Sequence, residues 1–83
     1  MSIPLKVYVK PGCPWCVDVL ADLRATGYTF EEINVIADRN AFAEMKRLSG
    51  QTLAPTVTYG ELILPDCGVP ELRAFLKKHE IRP

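Results

Sequence analysis

Residues 9–20 read VKPGCPWCVDVL and hold two of the chain's three cysteines, Cys13 and Cys16, with Pro14 and Trp15 between them. A C-x-x-C pair has three common uses: half of a metal site, a structural clip, or a reversible dithiol that passes electrons. The flanks narrow the choice. Upstream, LKVYVK (5–10) alternates and is rich in β-branched and aromatic residues, the pattern of a strand. Downstream, CVDVLADLRATG sets Val17, Leu20 and Ala21 on one helical face with Leu23 alongside, and Gly27 supplies a stop. The pair thus falls on a strand-to-helix junction, with Pro14 placed to open the helix and Cys13 at its N-cap. There the free amides of the first turn and the helix dipole favour negative charge on the Cys13 sulfur, and Lys10 adds a positive charge three residues upstream. Cys16, one turn inside the helix, is expected to be the more buried of the two and to act as the resolving thiol.

The rest of the chain extends this unit. YTFEEINV (28–35) has strand character. Asp38 is placed to cap a second helix, along which Phe42, Met45 and Leu48 recur at three-residue spacing until Gly50 ends it. QTLAPTVTYGELIL then reads as a loop and two strands joined by a tight turn at Gly60–Glu61. The final VPELRAFLKKHE opens with Pro70 and Glu71, carries an apolar stripe of Leu72, Phe75 and Leu76, and closes on Lys77, Lys78 and His79, where the helix dipole favours positive charge. The order β-α-β-α-β-β-α predicts an α/β domain spanning 1–83: a four-stranded mixed sheet with three helices and a right-handed first crossover. In such sheets function gathers at the C-terminal strand ends, where Cys13 and Cys16 lie.

Bulk properties exclude several alternatives. With 83 residues, 48% of them hydrophobic, the chain is one small domain able to pack a core. Ten basic residues balance ten acidic ones, so neither nucleic acid nor an anionic membrane is an expected partner. The N-terminus lacks a signal-peptide pattern and no apolar run is long enough to span a membrane, so a reducing cytoplasm is the expected compartment. An odd cysteine count there argues against a disulfide framework. Zinc would need two further ligands, and only Cys67 and His79 remain among cysteines and histidines, so no metal is expected. Trp15, at an exposed helix start, reads as a docking aromatic.

KPGCPWC after a strand, LAPTV before another, and this element order give a chain that resembles a glutaredoxin of the thioredoxin fold along essentially its whole length. The resemblance implies thiol–disulfide exchange with glutathione as co-substrate, acting as a monomer on disulfide-containing or glutathionylated proteins. It implies a cis Pro55 facing Cys13, and Ala54 pairing its backbone with the cysteinyl unit of glutathione. Lys10 and Gln51 match positions near a glutathione carboxylate, and Trp15 matches the groove's aromatic rim. The family's G-G-C-D-D stretch is LPDCGVPEL here. Cys67 matches its cysteine and offers a backbone amide for the γ-glutamyl end. Asp66 stands before Cys67 instead of after it, either capping the last helix or replacing the missing carboxylate as partner of the γ-glutamyl ammonium. The same departure is shared by glutaredoxin-shaped thioredoxins, which are reduced by a thioredoxin reductase and feed ribonucleotide reductase; this is the nearest alternative. A third is a module bridging an iron–sulfur cluster, which the stiffening Pro14 opposes.

Overall fold

The computed structural model describes residues 3–83. Its elements are β1 (Leu5–Val9), α1 (Pro14–Ala25), β2 (Glu31–Asn34), α2 (Arg39–Ser49), β3 (Thr56–Tyr59), β4 (Leu62–Leu64) and α3 (Val69–Lys78). The four strands form one mixed sheet in the order β2-β1-β3-β4. β1 runs parallel to β2, with Val7 opposite Glu32, and antiparallel to β3, with Val7 opposite Val57. β3 and β4 form the hairpin. Tyr59 pairs with Leu62. That leaves Gly60–Glu61 as a two-residue loop, and Gly60 takes the positive φ of 62° that such a turn requires at its first position.

β1 is buried along both faces. Leu5, Val7 and Val9 pack with Val19, Leu20 and Leu23 of α1 and with Leu72, Phe75 and Leu76 of α3. Tyr8 points the other way, to Val35 and to Met45 of α2. Helices therefore cover both faces of the sheet, which explains why its central strand is nearly all apolar. The Tyr8 hydroxyl, inside this second layer, hydrogen-bonds the Glu44 carboxylate. Burial, then Glu44, push its phenol above the ordinary range.

Two local expectations change. The buried stripe of α1 is Cys16, Val19, Leu20 and Leu23, the i, i+3, i+4, i+7 series, whereas Val17 is 62% exposed and Ala21 faces solvent. Cys16 decides this face: turning its sulfur inward rotates Val17, one residue on, to the outside. β2 begins at Glu31 rather than at Tyr28. The Tyr28 N–H bonds the Leu23 carbonyl at 3.0 Å and the Gly27 N–H bonds Arg24 at 3.2 Å, closing α1 in a Schellman motif with Gly27 at φ 83°. Tyr28's backbone thus belongs to the helix end, and its hydroxyl donates to the Ile81 carbonyl at 2.6 Å. Asp38 caps α2 as expected, accepting the N–H groups of Asn40 and Ala41. Among the described residues no helix is long and apolar enough to cross a membrane.

Candidate active site

The chain leaves β1 at Val9, turns through Lys10–Gly12 and enters α1 with Cys13 as N-cap in extended conformation and Pro14 in the first turn. Proline there sacrifices no helical hydrogen bond, because its missing N–H would have had no partner. The Cys16 N–H donates to the Cys13 sulfur at 3.2 Å. No acidic residue lies in the first turn of α1, so nothing local offsets the positive end of the helix dipole. Cys13 is half-buried and Cys16 is 2% exposed. Burial first, then the Cys13 hydrogen bond, push the Cys16 thiol up to about 12, with the neighbouring Lys10 working against the shift. Cys16 therefore keeps its proton at neutral pH, and Cys13 is the sulfur open to attack from outside.

Opposite this pair stands the loop before β3. The Ala54–Pro55 bond is cis, as the resemblance implies. The Cys13 thiol donates to the Ala54 carbonyl at 3.7 Å, so the residue before the cis-proline lies against the nucleophile. The Cys67 N–H donates to the Pro55 carbonyl at 3.0 Å and ties this loop to the start of α3. That bond engages the amide expected to receive the γ-glutamyl end of glutathione. Cys67 itself is 3% exposed. Burial, then the negative charges of Glu71 and Asp66, push its thiol up to about 12, which leaves it unreactive at neutral pH.

A groove of about 580 Å³ runs from Trp15 and Asp18 on α1 to Asp66, Cys67, Gly68 and Glu71 at the start of α3. Trp15 forms its rim and is 64% exposed. Asp66 is exposed and takes a φ of 46°. It does not cap α3. The cap position is Gly68, and Glu71, three residues on, reaches back to accept the Gly68 N–H at 2.8 Å. Lys10 lies beside the cysteine pair with its ammonium 5.7 Å from the centre of the Phe42 ring. Gln51 does not line this groove: its amide bonds Ser49 at the end of α2, Leu53 of the loop and Thr56 at the start of β3. His79 packs edge-on against Phe75, with ring centres 4.9 Å apart. Among the described residues no three His, Cys, Asp or Glu side chains converge as metal ligands would.

The structure thus places Trp15, Asp66 and Cys67 in the lining of one groove, sets Cys13 against Cys16 and Ala54, joins Pro55 to Cys67, and engages the Gln51 side chain with Ser49, Leu53 and Thr56. Two further groove residues, Asp18 and Glu71, have weak sequence signals. Glu71 stands at capping-box distance from Gly68, whereas Asp18 is one of many surface acids.

The sequence profile of the glutaredoxin family matches residues 5–63, a span that includes both Cys13–Cys16 and the cis-Pro55 loop. A glutaredoxin of Neisseria meningitidis is 43% identical over 56 residues, 66% of each chain. The fold is similar to that of a glutaredoxin from Brucella melitensis, with a TM-score of 0.67, 31% identity, and 94% of this chain and 82% of that one covered. It is also similar to that of NrdH-redoxin of Escherichia coli, described as a glutaredoxin-like protein with a thioredoxin-like activity profile, with a TM-score of 0.73, 25% identity, and 98% of this chain and 97% of that one covered. A cysteine pair at a helix start, a cis-proline loop against it and this family match agree: the chain belongs to the glutaredoxin family of thiol–disulfide oxidoreductases with the thioredoxin fold.

Proposed function

We propose that the chain reduces protein disulfides and glutathione mixed disulfides in a reducing cytoplasm, with Cys13 as nucleophile, Cys16 as resolving thiol and glutathione as reductant. The carrying observation is the placement of the Cys13 sulfur, which accepts the Cys16 N–H at 3.2 Å and lies against the Ala54 carbonyl of the cis-proline loop. As the thiolate, Cys13 attacks one sulfur of the substrate disulfide. The S–S bond breaks, and the departing thiolate takes a proton from solvent. Cys16 then bonds to the Cys13 sulfur, its proton passing to the second substrate sulfur as that leaves. Two glutathione thiols restore the pair and depart as glutathione disulfide. In this reading Ala54 and cis-Pro55 receive the cysteinyl unit, Trp15 covers it, Lys10 meets a carboxylate and Asp66 meets the γ-glutamyl ammonium.

A specific observation favours a second reading. The Cys67 amide is engaged by Pro55, and the groove beyond Trp15 holds three carboxylates, Asp18, Asp66 and Glu71. This is a poor seat for the γ-glutamyl carboxylate. It fits a protein reduced by a thioredoxin reductase and serving ribonucleotide reductase, and the similarity to the E. coli NrdH-redoxin supports the same reading. Turnover of a mixed disulfide with glutathione plus glutathione reductase, set against turnover with thioredoxin reductase, decides between them. Activity in the first system is expected; activity confined to the second replaces glutathione as the reductant.

A further inference from the structure

We propose that Gln51 is a positioning residue for the exchange reaction. It acts by clamping the backbone of Leu53 and so aiming the Ala54 peptide at the substrate, without touching the substrate itself. The inference rests on the reading that Ala54 receives the substrate's cysteinyl unit.

Three hydrogen bonds define the clamp. The Gln51 Oε1 accepts the Leu53 N–H, and its Nε2 donates to Ser49 Oγ at 2.8 Å and to Thr56 Oγ1 at 3.1 Å. Thr56 Oγ1 in turn donates to the Leu53 carbonyl at 2.9 Å. Ser49 Oγ donates to the Met45 carbonyl at 2.6 Å. Each hydroxyl therefore donates its one hydrogen and accepts from Nε2, the Gln51 backbone carbonyl being a longer second acceptor for Ser49 at 3.2 Å. The amide orientation is fixed by the same logic, since the flipped form would set Nε2 against the Leu53 N–H, donor to donor. The anchors are firm: Thr56 and Met45 are each 0% exposed.

Both polar backbone groups of Leu53 are thereby held, the N–H by Gln51 itself and the carbonyl by Thr56, which Gln51 engages. The Cys67 N–H holds the Pro55 carbonyl from downstream at 3.0 Å. Between the two clamps lies the Ala54 peptide. Its carbonyl already meets the Cys13 thiol, and its N–H makes no hydrogen bond among the described residues. A substrate strand that pairs with Ala54 needs this peptide in one orientation, and a misplacement of about 1 Å at such a contact can cost on the order of a hundredfold in rate. Leu53 is 53% exposed, so water can replace the lost bond and the fold survives when the clamp is cut.

The test uses the pre-reduced full chain, Gln51→Ala and Gln51→Lys. Second-order rates are measured with glutathione disulfide and with an uncharged blocked cystine, which has peptide groups but no carboxylate. Amide hydrogen exchange at Leu53 and iodoacetamide alkylation of Cys13 are measured on the same proteins. Both variants are expected to lose roughly ten- to a hundredfold with both disulfides. Leu53 exchange should rise at least tenfold, and Cys13 alkylation should stay within twofold. Lysine separates the roles because it cannot accept the Leu53 N–H yet would serve a carboxylate well. A loss confined to glutathione disulfide, or full activity of Gln51→Lys with it, makes Gln51 a direct ligand and overturns the inference. So does an unprotected Leu53 amide in the unaltered protein. Faster Leu53 exchange with unchanged rates leaves the clamp but overturns the docking of substrate on Ala54, and the positioning role falls with it. An unaltered protein inert to both disulfides shows the failure of the parent reading before any variant is compared.

Discussion

Two helix N-termini border the groove, and they use the same device to opposite ends. α1 and α3 both carry proline in the first turn. α1 is capped by Cys13, whose sulfur takes the Cys16 N–H, and its first turn holds no acid. α3 is capped by Gly68, which has no side chain to offer, and Glu71 from its own first turn takes the Gly68 N–H. At α1 the dipole is left to favour negative charge on a reacting sulfur; at α3 it already has its anion. Burial of the neighbouring thiols, Cys16 and Cys67, adds to the contrast by leaving Cys13 the one cysteine that is not buried. On the proposed reading, reaction belongs to the α1 end and recognition to the α3 end, and each can be altered without the other.

The largest expected effects lie at α1. Cys13→Ser should reduce turnover to the uncatalysed background with every disulfide, because an alcohol at this position supplies no thiolate. Cys16→Ser should abolish reduction of protein disulfides, which needs the internal disulfide, while retaining turnover of a glutathione mixed disulfide, which a second glutathione can resolve. Loss of both activities in Cys16→Ser would show that the pair acts only as a dithiol.

The buried thiols predict a pH signature. Cys16 and Cys67 are each raised from the usual 9.0 to about 12 by burial first. The folded chain therefore keeps two protons that the unfolded chain begins to lose near pH 9. The stabilisation is fully present below pH 9 and disappears as pH rises toward 12. Tyr8, shifted in the same direction by burial and by Glu44, reinforces the trend. Urea midpoints of the reduced protein should fall between pH 8 and about 10.5. Cys67→Ala should flatten that slope even though it lowers stability at pH 8 by opening a small cavity. A slope unchanged in Cys67→Ala would assign the alkaline loss to other groups.

The fold was largely legible because its signals are local. Pro14, Gly27, Asp38 and Gly50 each mark a helix end by a conformational preference that needs no tertiary context, and all four lie at helix ends in the structure. The cysteine pair and the cis-proline loop were legible through the family motif. Other features depend on contacts distant in sequence. VDVLADL contains overlapping apolar series, and only the inward turn of Cys16 selects Val19 over Val17. Tyr28 and Phe30 look like strand residues, but the Tyr28 N–H serves the end of α1. Gln51 matches, by resemblance, a position near a glutathione carboxylate, and its contacts with Ser49 and Thr56 were not legible because these become neighbours only when the loop folds back on itself. Likewise, no sequence pattern announces that the Cys67 amide is taken by Pro55, twelve residues upstream.

The smallest effects are expected at α3, and they decide what its charge is for. Glu71→Gln removes a negative charge and keeps an oxygen to accept the Gly68 N–H, so the helix start is preserved. Without that charge the helix end opposes the γ-glutamyl carboxylate less, and the apparent affinity for glutathione should rise roughly two- to fivefold, the scale of one exposed charge interaction of under about 1 kcal/mol. Asp66→Asn should act in the opposite sense by a similar factor, because Asp66 stands free of the helix cap and is the carboxylate assigned to the γ-glutamyl ammonium. Both effects should shrink as salt rises from about 0.05 to 0.5 M, since both groups lie at an open surface where screening is strong. Turnover with glutathione at several salt concentrations measures them directly. Opposite signs support an oriented glutathione with its amino acid end at α3. A rise in both variants means that the groove merely repels glutathione, and the reductant is then a protein that meets an acidic groove with basic side chains.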